Sequence, residues 1–221
     1  MSTPSSPTRG RPARLNRART VRAALDLLDA SGLDALTMRR LADTLGVRVG
    51  ALYRHFATKQ DLLTAMAEHI VGGVADAAGP AEEDDWGARA GRLARALREA
   101  LLAHRDGARV FAGTHATGPD TLGFADSLIG VLRDAGFGDE EAARALYAVT
   151  HFTVGHTLEE QAALRTEDGG PADARVLREA VASGTYPHLA ATLPVLTSTD
   201  FTAHFEFGLR LLLDGLRTLR R

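Results

Sequence analysis

Cysteine is absent from this 221-residue chain, which removes disulfides, zinc ribbons and thiol nucleophiles from consideration. Lysine is nearly absent as well. Lys59 stands alone among 26 basic residues, a bias that reads as genomic base composition and says nothing about function. No apolar run approaches the roughly 20 residues needed to span a bilayer. The N-terminal MSTPSSPTRGRPAR carries arginines but no apolar core of a secretory signal. No membrane partner is therefore expected, and the expected location is the cytoplasm. Convincing period-two alternation, the mark of a half-buried strand, is missing throughout. What remains, 45% hydrophobic and 24% charged residues, is the composition of a soluble globular chain with room for one large domain or two modest ones.

The net charge of −2 averages two unlike parts. Residues 1–60 hold 11 Lys and Arg against 4 Asp and Glu, a surplus of seven positive charges. Residues 61–221 hold 15 against 24, a surplus of nine negative charges. A basic head on an acidic body suggests a head that meets a polyanion and a body with another task.

Residues 1–13, rich in Ser, Pro and Thr without apolar periodicity, are expected to form a disordered basic arm. Helical spacing then begins. Ala18, Val21, Leu25 and Leu28 make one stripe, with Asn16 placed as N-cap and Ser31-Gly32 as the stop. Thr37 can cap a short second helix with Met38, Leu41, Ala42 and Leu45 inward, and Gly46 suits the left-handed turn that ends it. A third helix turns Leu52 and Phe56 inward. Thr58-Lys59-Gln60-Asp61 resembles a capping box opening a fourth, which carries Leu62, Leu63, Met66 and Ile70. In the body, Trp86, Ala90, Leu93, Leu97 and Leu101 predict a helix over about 85–104. A short piece follows near 107–112, then helices near 120–135, 139–165, 173–183 and 198–219. TEDGGPADA (166–174) is expected as a polar loop. The fold class is all-α, with domains at 14–60 and 61–221.

Three helices in about 40 residues, the second and third joined at Leu45-Gly46-Val47, spell helix-turn-helix. Such a motif needs a short helix that fits a major groove about 12 Å wide, and a partner helix that fixes its angle. The outward faces carry Arg39, Arg48, Tyr53, His55 and Lys59, which reach phosphates or base edges. LTMRRLADTLGVRVGALYRHFATKQDLL closely resembles the signature of the TetR family of bacterial transcriptional regulators. That resemblance implies a recognition helix at about 48–54. It also implies DNA contacts from Thr37 and Arg39, base-facing Arg48, Val49, Gly50 and Ala51, and phosphate grips at Tyr53, His55 and Lys59. RGRPAR (9–14) resembles an AT-hook, whose Arg9 and Arg11 would enter a narrow minor groove.

The likeness extends more loosely into the body. HRDGARVFAGTH (104–115) and HFTVGHTLEEQ (151–161) resemble segments of the tetracycline-repressor branch, where the body dimerises and binds a magnesium-chelated drug. The residues depart from that branch where it matters. Its metal-binding histidine is here Phe111, its neighbouring arginine is His115, and the positions of a polar asparagine and an aromatic read Leu93 and Leu97. Thr114, His151 and Glu159 are kept. His151 and Glu159 lie eight residues apart, about 12 Å along a helix, too far to ligate one ion together. No metal or cofactor is expected. The sequence points instead to a largely apolar effector in a pocket lined by Leu93, Leu97, Phe111, Leu122, Phe124, Leu132 and His151, with Thr114, His115 and Glu159 as polar fixtures. Arg89, Arg92, Arg95 and Arg98, recurring every three residues, read as a solvated helix face.

Taken together, these features predict a homodimeric repressor that leaves a palindromic double-stranded operator when a small molecule binds. The interface is expected on the helices near 139–165 and 198–219, along Phe201, Phe205, Leu209, Leu212 and Leu216. The helix containing Leu62–Ala75 is the expected lever between head and body. A constitutive DNA-binding dimer without an effector is the alternative. An enzyme built on the His/Glu cluster is a weaker one, since no nucleophile elbow, HExxH pair or phosphate loop is present.

Overall fold

The computed structural model describes residues 15–80, 85–164, 174–182 and 184–219. Arg9, Arg11 and nearly all of the 166–174 loop lie outside them. Eleven α-helices and no strand occur among the described residues.

The head is built from local signals. Helix α1 (Arg17–Ser31) starts where the Asn16 side chain accepts from the Arg19 amide, and stops at Gly32, φ 78°. Helix α2 (Met38–Leu45) starts at Thr37, whose hydroxyl accepts from the Arg40 amide, and ends at Gly46 in the left-handed conformation. Helix α3 (Val49–Tyr53) follows after three residues. Helix α4 (Lys59–Ile70) opens on a complete capping box between Thr58 and Asp61. Leu28, Leu41, Leu52, Phe56 and Leu62, all essentially buried, hold these helices together. The expected lever through Ala75 is not one helix. Helix α4 ends at Ile70, and Gly73, φ 79°, leads into a separate 3₁₀ turn, Val74–Ala78.

The body contains α5 (Trp86–Leu102), α6 (Gly107–Ala112), α7 (Pro119–Asp134), α8 (Asp139–Leu164), α9 (Ala174–Ala182), α10 (Pro187–Leu196) and α11 (Phe201–Leu219). At 26 residues, α8 runs about 39 Å. Helix α5 lies inside, against α7, α8 and α11. The arginines on α5 are not a solvated face. Arg89 is buried, Arg92 donates to the carbonyls of Ala77 and Ala78, and Arg95 forks onto Glu206. Arg98 donates to both oxygens of Glu160, at 2.9 and 2.7 Å, with Glu160 buried and the Arg98 side chain nearly so. The pair satisfies two charges that would otherwise be costly beneath α11.

The stripe expected at a subunit interface also turns inward. Phe205, Leu209 and Leu216 are buried, as is Leu213, because α11 packs against α8 and α5. Phe207 and Leu211, on another face of α11, and Leu219 at its end are exposed instead. Helix α10 had no counterpart among the sequence-predicted elements, and none of its residues is buried.

Head and body meet at a polar corner between α5 and α6. The Arg105 amide and the His104 ring both bond to Asp29 near the end of α1. Asp106, buried and at φ 58°, accepts from the Leu33 amide at 2.9 Å. Gln161 on α8 fixes the same corner from behind, accepting from the Ala108 amide and donating to the carbonyls of Leu101 and His104.

Candidate nucleic-acid interface and body cavity

The short α3 and the start of α2 form one outward face. Thr37, Arg39, Arg48, Gly50 and Tyr53 are exposed there, while Val49, Ala51, His55 and Lys59 are half-buried. Among the described residues, nothing lies within 4 Å of where a Cβ would sit on Gly50. Packing inside the chain therefore does not require glycine; the position leaves room for an external surface to come close. The Thr37 hydroxyl oxygen caps α2, which leaves its proton free to donate outward. Half-exposed Tyr53 ends α3. Arg17 was not singled out from the sequence, yet it braces this face. Its Nη1 donates to the His55 carbonyl at 2.8 Å, and its guanidinium lies 4.3 Å from the Phe56 ring centre.

In the body, a cavity of about 580 Å³ opens between α6, the α6–α7 connection, α7 and α8. Phe111, Thr114, His115, Leu122, Phe124 and His151 are on its wall. Leu93, Leu97 and Leu132 are not. All three are fully buried in the core: Leu93 and Leu97 because α5 lies behind the cavity wall rather than in it, and Leu132 because it lies further along α7 than the residues that reach the wall. Glu159 is exposed on α8 and also lies off the wall. The missing wall comes from Thr117, Thr121, Leu146, Tyr147, Thr150, Val154 and Leu158. On α8, residues 147, 150, 151, 154 and 158 recur at helical spacing, a signal present in the sequence that pointed to this face. Tyr147 and His151 stack obliquely, 5.5 Å apart.

The wall carries hydroxyls and imidazoles but no formally charged side chain among the described residues. The Thr114 hydroxyl donates to the Phe111 carbonyl. The Thr150 Oγ1 is buried and finds no hydrogen-bond partner among the described residues.

The α6–α7 connection is fastened to α4 at both ends. Gln60 Nε2 donates to the Gly113 carbonyl at 2.9 Å. Eight residues on, the Glu68 carboxylate accepts from the amides of Asp120 and Thr121 and from the Thr121 hydroxyl. A second cleft, about 560 Å³, lies on the head side of the same connection, between α1, α4 and residues 116–120.

Comparison with known proteins matches residues 21–66 to the family of bacterial regulatory proteins called tetR, and residues 79–220 to the tetracyclin repressor-like C-terminal domain. The chain belongs to the TetR family. It is 40% identical over 200 residues to the tetracycline repressor protein class A from transposon 1721 of Escherichia coli, covering 90% of this chain and 89% of that one. A crystal structure of a possible TetR family transcriptional regulator from Streptomyces coelicolor A3(2) superposes with a TM-score of 0.88 at 77% identity, covering 93% and 100% of the two chains. The TetR family protein ActR of Streptomyces coelicolor, solved in complex with actinorhodin, superposes with a TM-score of 0.83 at 31% identity, covering 93% and 98%.

The family is one of DNA-binding regulators rather than enzymes. Within it, this chain places Phe111 on the cavity wall where the resemblance to the tetracycline branch implies a metal-binding histidine. No group of three or more His, Asp or Glu side chains able to hold a metal comes together among the described residues. No described helix is long and apolar enough to cross a membrane.

Proposed function

We propose that the protein is a homodimeric repressor that leaves a palindromic operator when a largely apolar small molecule fills the cavity between α6, α7 and α8. The observation that carries this reading is the double fastening of the α6–α7 connection to α4. One segment, residues 113–121, is both cavity wall and anchor of the helix that carries the head.

On the DNA side, α3 with Arg48, Val49, Gly50 and Ala51 enters the major groove, while Thr37, Arg39, Tyr53, His55 and Lys59 hold phosphates on either side. Two recognition helices fixed at one separation select a two-fold operator. Dimerisation is supported by the apolar residues left uncovered on α8 and α11, among them Leu164, Phe207 and Leu211. An effector that prefers another head separation draws the population off the operator. Coupling of about 1–3 kcal/mol weakens binding roughly 5–150-fold. The ligand is apolar in bulk because the wall is neutral and rich in Phe111, Leu122, Phe124, Leu146 and Leu158, the character of most small-molecule sites.

The test is a thermal-shift screen of uncharged aromatic compounds, followed by measurement of DNA release with the hits. Compounds that raise the melting temperature and also release DNA support the reading. Stabilising compounds that leave DNA binding untouched favour a constitutive dimer.

A further inference from the structure

Helix α7 begins without a cap of its own. Its N-cap is Gly118, which has no side chain, and Pro119 occupies the first turn. The amides that follow are satisfied from another element. Asp120 N donates to Glu68 Oε1 at 2.5 Å and Thr121 N to Oε2 at 3.3 Å, and the Thr121 hydroxyl donates to Oε2 at 2.6 Å. A carboxylate at a helix N-terminus is favoured by the unpaired amides and by the helix dipole. The approach is close enough that a Cβ on Gly118 would meet the Glu68 carboxyl group. Glycine at 118 is thus what lets a side chain of α4 cap α7.

We propose that Glu68 is the positioning residue through which the occupancy of the cavity reaches the DNA-binding face, a step that rests on the regulator reading above. Thr121 belongs to both sides of this contact. It lines the cavity, and its single hydroxyl proton is donated to Glu68. A ligand group that accepts from Thr121 takes that proton from Glu68, and a ligand that displaces residues 117–121 pulls on the carboxylate. Either event acts on α4, which packs against α1 in the head and against α6 and α7 in the body. The other fastening, from exposed Gln60 to the Gly113 carbonyl, is one neutral bond. The Glu68 contact is three bonds to an ionised acceptor and is the stronger grip. Coupling of this kind is reciprocal, so DNA on the head must be felt at the first turn of α7.

Reciprocity makes the proposal testable without knowing the effector. A duplex is selected from a randomised pool by the full-length protein. Amide hydrogen exchange at residues 120–122 is then measured with and without that duplex, in wild type, Glu68→Gln and Gly118→Ala. Glu68→Gln removes the charge and turns one accepting oxygen into a donor, Gly118→Ala crowds the same carboxyl group from the other side, and melting curves establish that each variant is folded. In wild type the duplex is expected to change exchange at 120–122 by about fivefold or more, the lower end of typical coupling. In either folded variant the duplex still binds and this difference disappears. A purely local cap would change the exchange rates equally with and without the duplex and leave the duplex-dependent difference as it is in wild type. The proposal is overturned if wild type shows no duplex-dependent change there, or if the change persists in Glu68→Gln. Failure to select any duplex overturns the regulator reading itself, and this inference with it.

Discussion

Replacing Thr150 by valine is expected to stabilise the protein, which is the reverse of the usual effect of changing a buried residue. The hydroxyl lies on the cavity wall with its oxygen shielded from solvent, and among the described residues neither a backbone carbonyl nor a side chain bonds it. A buried hydroxyl without a partner costs about 1–3 kcal/mol by protein mutational measurements. Valine keeps the branched shape and the preferred helical rotamer, so packing is nearly preserved. Taking the lower figure of about 1 kcal/mol, a chain of this size gains about 2–4 °C in melting temperature. Urea unfolding of wild type and variant at equal protein concentration reads the difference directly, as a rise in midpoint at constant slope. The same substitution should weaken any effector that bonds Thr150. A drop of about 1 kcal/mol or more in the unliganded protein would refute the reasoning, since it would mean that the hydroxyl is already satisfied.

Gly208→Ala should destabilise by about 1–3 kcal/mol, because its Cβ would stand 2.5 Å from the Phe152 ring, which stacks on Phe205; an unchanged melting temperature would contradict this. His156 is held below the ordinary imidazole range chiefly by burial, against the opposing pull of its bond to the Phe201 carbonyl and of Glu160. The unfolded chain, with an imidazole near the ordinary value of about 6.5, therefore binds more protons than the folded one below that pH, so stability is full above it and falls as the pH drops. His156→Gln should flatten the fall in melting temperature between about pH 7 and pH 5.5, and an unchanged slope counts against the assignment. Lys59→Ala and Arg48→Ala should each weaken DNA binding. On the proposed reading Lys59 holds one phosphate, so its loss should lower the slope of log affinity against log salt by about one. On the same reading Arg48 faces a base edge, so Arg48→Ala should also relax sequence preference. If neither variant differs from wild type, the assigned face is wrong.

The head was legible because its signals are local and chemically distinct. Asn16, Thr37 and Thr58 cap the helices they were expected to cap, and Gly46 takes the left-handed turn that ends α2. The body was legible in its elements and less so in its facing. Leu93 and Leu97 were expected to line a pocket, but a leucine on a cavity wall and one in a core look alike in sequence, and only the position of α5 behind α6 and α8 decides. On α11 the inward and outward stripes are both apolar, so Phe205 and Phe207 could not be told apart by hydrophobicity. The arginines of α5 misled for a related reason. Their partners Glu160 and Glu206 lie more than sixty residues away along the chain. Helix α10 was hidden by Pro187 and Pro194, the first at the start, where proline is tolerated, and the second inside the helix. The Glu68 cap left no trace in sequence, because its partners are backbone amides fifty residues distant.

The central claim, that the exposed face of α2 and α3 reads DNA as one half of a two-fold pair, is tested most directly by fluorescence anisotropy. The duplex is one selected from a randomised pool, titrated across salt, with the mass of the complex measured alongside. The account predicts a palindromic sequence, an even number of chains per duplex, and affinity that falls steeply as salt rises. Binding that shows no sequence preference at low salt, or one chain on a non-repeating site, would contradict it.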